Sequence, residues 1–409
     1  MKKEQKTITN ANEGRQNKLN VPTLRFKGYT AEWDKASLST YAKKITSKNT
    51  DNAINNVICN SAINGLIPQL EFFDKEIAND ENTSGYYIIN DGDFVYNPRK
   101  SISAPYGPVN IYKNEITGIV SPLYLCFTIN NINKRFLLYR FKSPCWYRYI
   151  YLNGDSGARH DRVSIRDDVF LSQPLSIPSV DEQAKIADFL DKIEARISVQ
   201  NKIISKYESL IKGISRDYFN KTPDYYVSLN DLIIMGKAGG TPASTISEYY
   251  SGYIPFLSIS DMTKQGKYIE YTERHISEIG LDNSSAWLVP QNSLILSMYA
   301  SVGLVCINKV PLATSQAMFS MILKDSDNLD YIYYYLNFFR ETQIHRLLET
   351  GTQSNINADT VRAITIPFYA DKSTYVKSML VIEKRLNNEK DMLFRLTDLK
   401  AYLLSNLFI

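Results

Sequence analysis

Ile177-Pro178-Ser179-Val180-Asp181-Glu182-Gln183-Ala184-Lys185-Ile186 marks the point where a mixed block of short apolar runs and turns gives way to a long helix. Pro178 closes the strand-like run Leu175-Ser176-Ile177, and Ser179 can cap the helix, with Glu182 three residues on completing a capping-box pattern. Apolar residues then recur at Ile186, Leu190, Ile193, Ile197, Ile204, Tyr207, Ile211 and Ile214, with polar Gln200 in the seam. The steps alternate between four and three residues, which is a heptad stripe. The helix should stop by Asn220, before Pro223. From residue 182 to 219 it would reach about 57 Å at the rise of an α-helix.

The same junction occurs again. Ile364-Thr365-Ile366-Pro367 runs into a second helix with Ile382, Leu386, Leu393, Leu396, Leu403 and Leu407 on its stripe, interrupted by Glu389 and Lys400. The blocks ahead of the two helices match at an offset of roughly 190 to 200 residues. Ser37-Leu38 answers Ser228-Leu229, and the run Tyr87 to Val95 answers Trp287 to Ile295, each reading as strand, polar turn, strand. Ser103-Ala104-Pro105-Tyr106-Gly107 answers Tyr299-Ala300-Ser301-Val302-Gly303, and the aromatic helix Phe136 to Phe141 answers Tyr331 to Leu336. A small-residue loop follows each helix, Gly154 to Arg159 and Gly351 to Asn355. The shared order of these matches carries the repeat.

A narrow apolar stripe on a long helix cannot bury itself alone. Either each helix covers its own block, or the two helices pack on each other as a coiled coil. The length of the stripes and their 3.5-residue period favour the pair. The connection is a whole domain, so either orientation is open to the chain, and the antiparallel one puts the globular blocks at opposite ends. The expected fold is therefore of the α/β (α+β) class, two pseudo-repeated domains joined by two long helices packed as an antiparallel coiled coil. The boundaries read as a polar tail over 1–20, expected to be disordered, a first block over 21–180, a central helix over 181–220, a second block over 221–370 and a distal helix over 371–409.

Composition narrows the class. Hydrophobic residues at 44% and charged residues at 22% are those of a soluble globular chain. No apolar run approaches the roughly 20 residues of a membrane span, and the basic start Met1 to Lys6 has no apolar segment behind it as a secretory signal would. Cytoplasm follows by default. Cys59, Cys126, Cys145 and Cys306 lack C-x-x-C spacing and read as reduced thiols. Three histidines, His160, His275 and His345, argue against a zinc site. The 29 tyrosines could serve base or sugar contact, but codon usage in an AT-rich genome raises Asn, Ile, Lys and Tyr together and is the stronger reading.

No catalytic signature is convincing. Gly236-Lys237-Ala238-Gly239-Gly240-Thr241 lacks phosphate-loop spacing and reads as a flexible turn between strands. Tyr96-Asn97-Pro98-Arg99 lacks the second proline and the aromatic of the amino-methyltransferase motif, and no nucleotide-binding glycine fingerprint accompanies it. Asp167-Asp168 beside Arg162 and Arg166 reads as a solvated charge cluster. No nucleophile elbow, zincin motif or Cys/His pair occurs.

Features suited to DNA are more numerous. The net charge of +4 permits nucleic-acid binding without demanding it. Lys134, Arg135, Arg140, Lys142, Arg148, Arg159, Arg162 and Arg166 crowd one stretch, interleaved with Tyr139, Trp146, Tyr147, Tyr149 and Tyr151. Cations neutralise phosphates, and arginine also pairs bidentately with guanine. Lys264, Lys267, Arg274, Lys309 and Arg346 form a thinner set in the second block. The candidate DNA contacts are Arg99, Lys100, Tyr106, Lys142, Arg148, Arg159 and Arg162 in the first block, and Lys264, Tyr299, Thr352, Gln353, Ser354 and Asn355 in the second. Against each stands the plain alternative of a solvated surface cation or polar loop.

With the repeat, the helices and the missing catalytic motifs together, the chain resembles the specificity subunit of type I restriction-modification systems. The likeness covers nearly everything after residue 20. It is carried by Pro22 to Tyr29 followed by Trp33, by Ile177 to Ile186, by Gly240-Thr241-Pro242 with Ile254-Pro255-Phe256-Leu257 and Ile276 to Leu281, and by Tyr299 to Gly303 with Gln316. Two departures stand out: the distal helix entry Tyr369 to Tyr375 lacks a counterpart of Glu182-Gln183, and Pro144 interrupts the first aromatic helix. The resemblance implies a non-catalytic subunit with two target-recognition domains, each reading half of a split DNA target. It implies that the helices, through Ile186, Leu190, Ile193, Ile197, Ile204, Ile382, Leu386, Leu393 and Leu403, fix the gap and dock two modification subunits. S-adenosylmethionine, ATP and Mg belong on partner subunits, a restriction motor-nuclease among them. The alternatives are a self-contained methyltransferase or nuclease with a diverged site, and a coiled-coil scaffold whose blocks bind protein.

Overall fold

The structure, a computed structural model, describes residues 19–69, 83–155, 161–346 and 355–409. The chain forms two compact units, residues 1–200 with 392–409 and residues 201–391. Each unit thus holds one half of each long helix.

The first unit contains β1 (Asp34–Ser37), β2 (Ala42–Lys44), β3 (Ile58–Ser61), β4 (Gly65–Pro68) and β5 (Tyr87–Ile89). It continues through β6 (Phe94–Tyr96), β7 (Val109–Ile111), β8 (Gly118–Val120), β9 (Leu125–Ile129) and β10 (Pro174–Ile177). Its central sheet has the order β2-β9-β6-β7, all antiparallel. Alternate residues face opposite sides of a strand. Phe94, Tyr96, Leu125 and Phe127 pack with Leu137, Phe141 and Trp146, while Val95 and Cys126 pack with Ile58, Ile89 and Tyr112. Both faces are covered, which explains the continuous apolar runs.

Asn133 caps the aromatic helix Lys134–Lys142, its side chain accepting from the amides of Arg135 and Phe136. The helix ends before Pro144, as the sequence predicts. A 3-10 turn, Pro144–Trp146, then leads into a second short helix, Tyr147–Asn153. Trp146 closes the break, its indole donating to Phe141 O at 3.0 Å.

The second unit contains β11 (Tyr225–Ser228), β12 (Ile233–Ala238), β13 (Ile254–Leu257), β14 (Tyr268–Ile269) and β15 (Arg274–Ile276). It continues through β16 (Leu294–Ser297), β17 (Val305–Asn308), β18 (Ala313–Thr314), β19 (Met318–Leu323) and β20 (Thr365–Phe368). Its main sheet runs β12-β19-β16-β17-β14, the first four being the counterparts of β2-β9-β6-β7. Each unit is also closed by the same clamp. Ser37 lies opposite Pro174 and Leu38 N–H donates to Gln173 O; Ser228 lies opposite Thr365 and Leu229 N–H donates to Ile364 O. The internal repeat is therefore a repeat of topology. Many tyrosines are core residues, Tyr331, Tyr334 and Tyr335 of the aromatic helix Leu329–Thr342 packing with Phe219 and Tyr375. The segment Gly236 to Thr241 differs from the expected turn, since Gly236 to Ala238 belong to β12. A Cβ on Gly239 would stand 2.0 Å from Thr314 O, so glycine lets two backbones pass there.

The central helix spans Val180–Phe219 and the distal helix Lys372–Asn406. In the first unit Ile186 and Leu190 pack with Leu403, Leu404 and Leu407, and Lys400 bridges Glu194 at 2.7 Å. In the second, Glu208 meets Lys390 at 3.1 Å, and the Tyr218 and Tyr375 rings stack at 4.0 Å. Partner numbers fall on one helix as they rise on the other, so the pair is antiparallel. Along the stripe Ile186, Leu190, Ile204, Leu386 and Leu403 are buried, while Ile193, Ile197, Ile382 and Leu393 are half-buried.

Two carboxylates on the central helix hold it to the first unit. Burial pushes Asp191 up, but the Tyr139 hydroxyl and the Arg135 guanidinium outweigh it and hold the group below the ordinary carboxylate range. Glu194 is likewise held low, Lys400 and Lys142 outweighing burial. Groups depressed in the folded state contribute stability above their unfolded values of about 4 and lose it as pH falls through the folded ones. An acid titration followed by tryptophan fluorescence should therefore show the first unit loosening below about pH 4, and a D191N/E194Q chain should show a flatter acid limb. An unchanged limb would refute the assignment.

Candidate nucleic-acid interface

In the first unit two loops meet at the end of the central sheet. The connection from β6 to β7 folds tightly on itself. Ser101 and Ala104 exchange backbone hydrogen bonds at 3.0 and 3.2 Å, and Gly107 N–H donates to Ala104 O at 3.0 Å. Gly107 sits at φ 84°, and a Cβ there would stand 2.1 Å from Asn97 O. Glycine is required on both counts. A G107A chain should lose about 1–3 kcal/mol, read by chemical denaturation, and should lose DNA affinity with it. Equal stability would show that the turn relaxes freely.

The second loop leads out of the helix Tyr147–Asn153. Its backbone is stitched to the first, Lys100 N–H donating to Asp161 O and Val163 N–H to Pro98 O, both at 2.9 Å, with Arg99 and Arg162 forming a β-bridge. Between the loops lies a cleft of about 260 Å³ lined by Lys100, Tyr106, Ile150, Tyr151 and Val163. The Tyr106 ring rests on Tyr147 at 5.0 Å. Arg162, half-buried, has the exposed Asp161 at 3.9 Å, a weak pair that leaves the cation available. The structure thus brings together Arg99, Lys100, Tyr106 and Arg162, and Arg148 is exposed on the helix that supplies Tyr151.

Other parts of the basic stretch are spent internally. Lys142 bridges Glu194 at 3.1 Å on the central helix. Arg135 holds Asp188 and Asp191. Arg140 is buried, donating to Gln173 Oε1 at 2.7 Å and Pro174 O at 2.8 Å. Arg159 lies outside the described residues.

The second unit builds the same junction with other side chains. After β16, Ser297 Oγ donates to Tyr299 O and Ala300 O, and Ser301 and Gly303 take positive φ. Tyr299 is exposed. Ile356 N–H donates to Met298 O at 3.1 Å and brings Asn355 beside this turn. Thr352, Gln353 and Ser354 lie outside the described residues. Lys264 forms an ion pair with Glu273, and among the described residues none of the hydrogen bonds that join these loops involves it. One residue went unread in the sequence, Ile102, exposed on the turn between Lys100 and Pro105, which line the first cleft. The available signal for Ile102 was a single aliphatic side chain set between serines in a polar run.

The model of the type I restriction modification DNA specificity domain matches the chain twice, over residues 32–209 and 225–373. The chain belongs to that family. Each match covers one clamped block and runs into the helix that follows it. Among curated members, the HindI specificity subunit of Haemophilus influenzae is 31% identical over 187 residues, 44% of this chain and 40% of the relative. The MjaIX specificity subunit of Methanocaldococcus jannaschii is 30% identical over 132 residues, 32% of this chain and 31% of the relative. The matched stretches therefore span less than half of these relatives. Among solved structures, the type I restriction-modification S subunit from M. genitalium shares the fold with a TM-score of 0.54 at 14% identity, covering 95% of this chain and 99% of that one. A chain from a structure on complex assembly and conformational transition of a type I R-M system gives 0.60 at 14%, covering 92% and 97%. Within the specificity family the chain keeps two units of one topology and an antiparallel helix pair. No helix among its described residues is long and apolar enough to cross a membrane.

Proposed function

We propose that this specificity-family chain reads DNA for a type I restriction-modification complex, each unit reading one half of a bipartite target. The observation that carries the proposal is the recurrence of one loop junction in both units, at the same place on the same sheet order, with different side chains. A shared scaffold with exchanged side chains is what reading two unlike half-sites requires. The chain itself is non-catalytic and acts in the cytoplasm. The helix pair sets the gap between the halves and docks two modification subunits. Those carry S-adenosylmethionine, and ATP and Mg belong with the motor-nuclease subunits. A fixed gap matters because half-sites on one face recur about every 34 Å, and a flexible connection would accept many spacings.

The test is co-expression of the chain with its modification subunits, followed by genome-wide mapping of methylated adenine. A split motif should appear, and exchanging residues 225–368 should change one half only. A short uninterrupted motif, or DNA binding by the complex without sequence preference, would overturn the proposal. Methyl transfer by the purified chain alone would restore the enzyme alternative.

A further inference from the structure

Ile102 occupies the centre of the tight turn Ser101 to Ala104 and is fully exposed, at 106% relative accessibility. Turn centres usually hold Gly, Pro, Asn, Asp or Ser, and a β-branched aliphatic there contributes nothing to a core. The turn is not free to fold the side chain away. Ala104 N–H donates to both Ser101 O and Ser101 Oγ, and Gly107 N–H locks the other end. Its surroundings are cationic and aromatic, with Arg99, Lys100 and Arg162 on the stitched strands and Tyr151 exposed in the adjoining cleft. Cations at the base of such a turn suit phosphates, which would bring its tip to the base edges. In the major groove the apolar group on a base edge is the 5-methyl of thymine.

We infer that Ile102 reads thymine in the half-site bound by the first unit, packing its side chain against the 5-methyl group in the major groove. The inference rests on the proposed DNA-reading function and names one of its contacts. The corresponding turn of the second unit exposes Tyr299, which in the repeat answers Ser103, so the two turns present different side chains.

The test uses the chain assembled with its modification subunits and duplexes carrying the mapped target. Each thymine is replaced in turn by deoxyuridine, which removes only the methyl group. At one or two positions in a single half-site, binding should weaken roughly fourfold, the value of one buried methyl group. In an I102A complex the thymine duplex should bind about tenfold more weakly, with uracil at those positions then indifferent. An I102V complex should fall between the two and control for the fold. If the wild-type complex binds no target specifically, the DNA-reading proposal fails. If it binds but no uracil penalty disappears in I102A, that proposal stands and the thymine contact is wrong. Weaker binding by I102A with every uracil tolerated by both complexes also overturns the contact, and would indicate a wedge between base steps instead.

Discussion

A K267M chain is expected to lose about 3–5 kcal/mol of stability in its second unit. Lys267 Nζ lies 2.8 Å from Asp330 Oδ1, 2.7 Å from Glu383 Oε2 and 2.8 Å from the Tyr334 hydroxyl, with the side chain 8% exposed. It also stands over the Tyr334, Tyr333 and Tyr268 rings, 4.2 to 5.1 Å from their centroids. The lysine joins the segment leading into β14, the aromatic helix and the distal helix through one cation. Burial, with Glu383 beside it, pushes the Tyr334 hydroxyl well above the ordinary tyrosine range, so it remains a donor to that carboxylate at 2.6 Å. Methionine keeps the stem but removes the charge, leaving Asp330 and Glu383 with unpaired charge in a poorly solvated site. Chemical denaturation reads the loss, and hydrogen exchange over 329–342 should accelerate with it. Adding E383Q to K267M should recover part of the deficit. A K267M chain within about 1 kcal/mol of the parent would mean that water already solvates the cluster.

An R25M chain should lose about 3 kcal/mol in the first unit, because it strands a carboxylate that is 1% exposed. Arg25 Nε and Nη2 each donate to one oxygen of Glu182 at 2.7 Å, a bidentate fork. The fork fastens the segment ahead of β1 to the start of the central helix. One residue earlier, Leu24 N–H donates to Asn406 O at 2.9 Å, so the same segment also holds the end of the distal helix. Denaturation and limited proteolysis over residues 19–33 should both report its release. R25K should fall short of the parent, since a point charge cannot form the fork. If R25M is as stable and as protease-resistant as the parent, Glu182 is solvated in a way the geometry contradicts.

Glu182 also shows where local pattern stops. Its spacing from Ser179 announces a capping box, and half of one forms, Glu182 N–H donating to Ser179 Oγ at 3.3 Å. The carboxylate meant for the other half goes instead to Arg25, 157 positions away. Gln183 is similarly occupied, donating to Pro178 O and accepting from Asn133 N–H, the cap residue of the first aromatic helix. Lys400, which breaks the distal stripe, is matched by Glu194 on the central helix. The basic stretch is the same lesson on a larger scale. Composition counts Arg135, Arg140 and Lys142 as available cations, yet salt bridges and a buried network use all three, because a partner on another element leaves no mark in the nearby sequence.

By itself the sequence determined what local repetition can encode. The heptad steps of the two helices, the break at Pro144 and the order of the repeated segments all follow from periods of a few residues and from proline's missing amide. The register of the helix pair, the pairing of Arg99 with Arg162 and the pinned exposure of Ile102 came only from the tertiary structure. The physical reason is distance along the chain. Contacts closed by strands and helices many residues apart are chosen by packing and charge neutralisation over a whole unit, and nothing within one turn or one heptad records that choice.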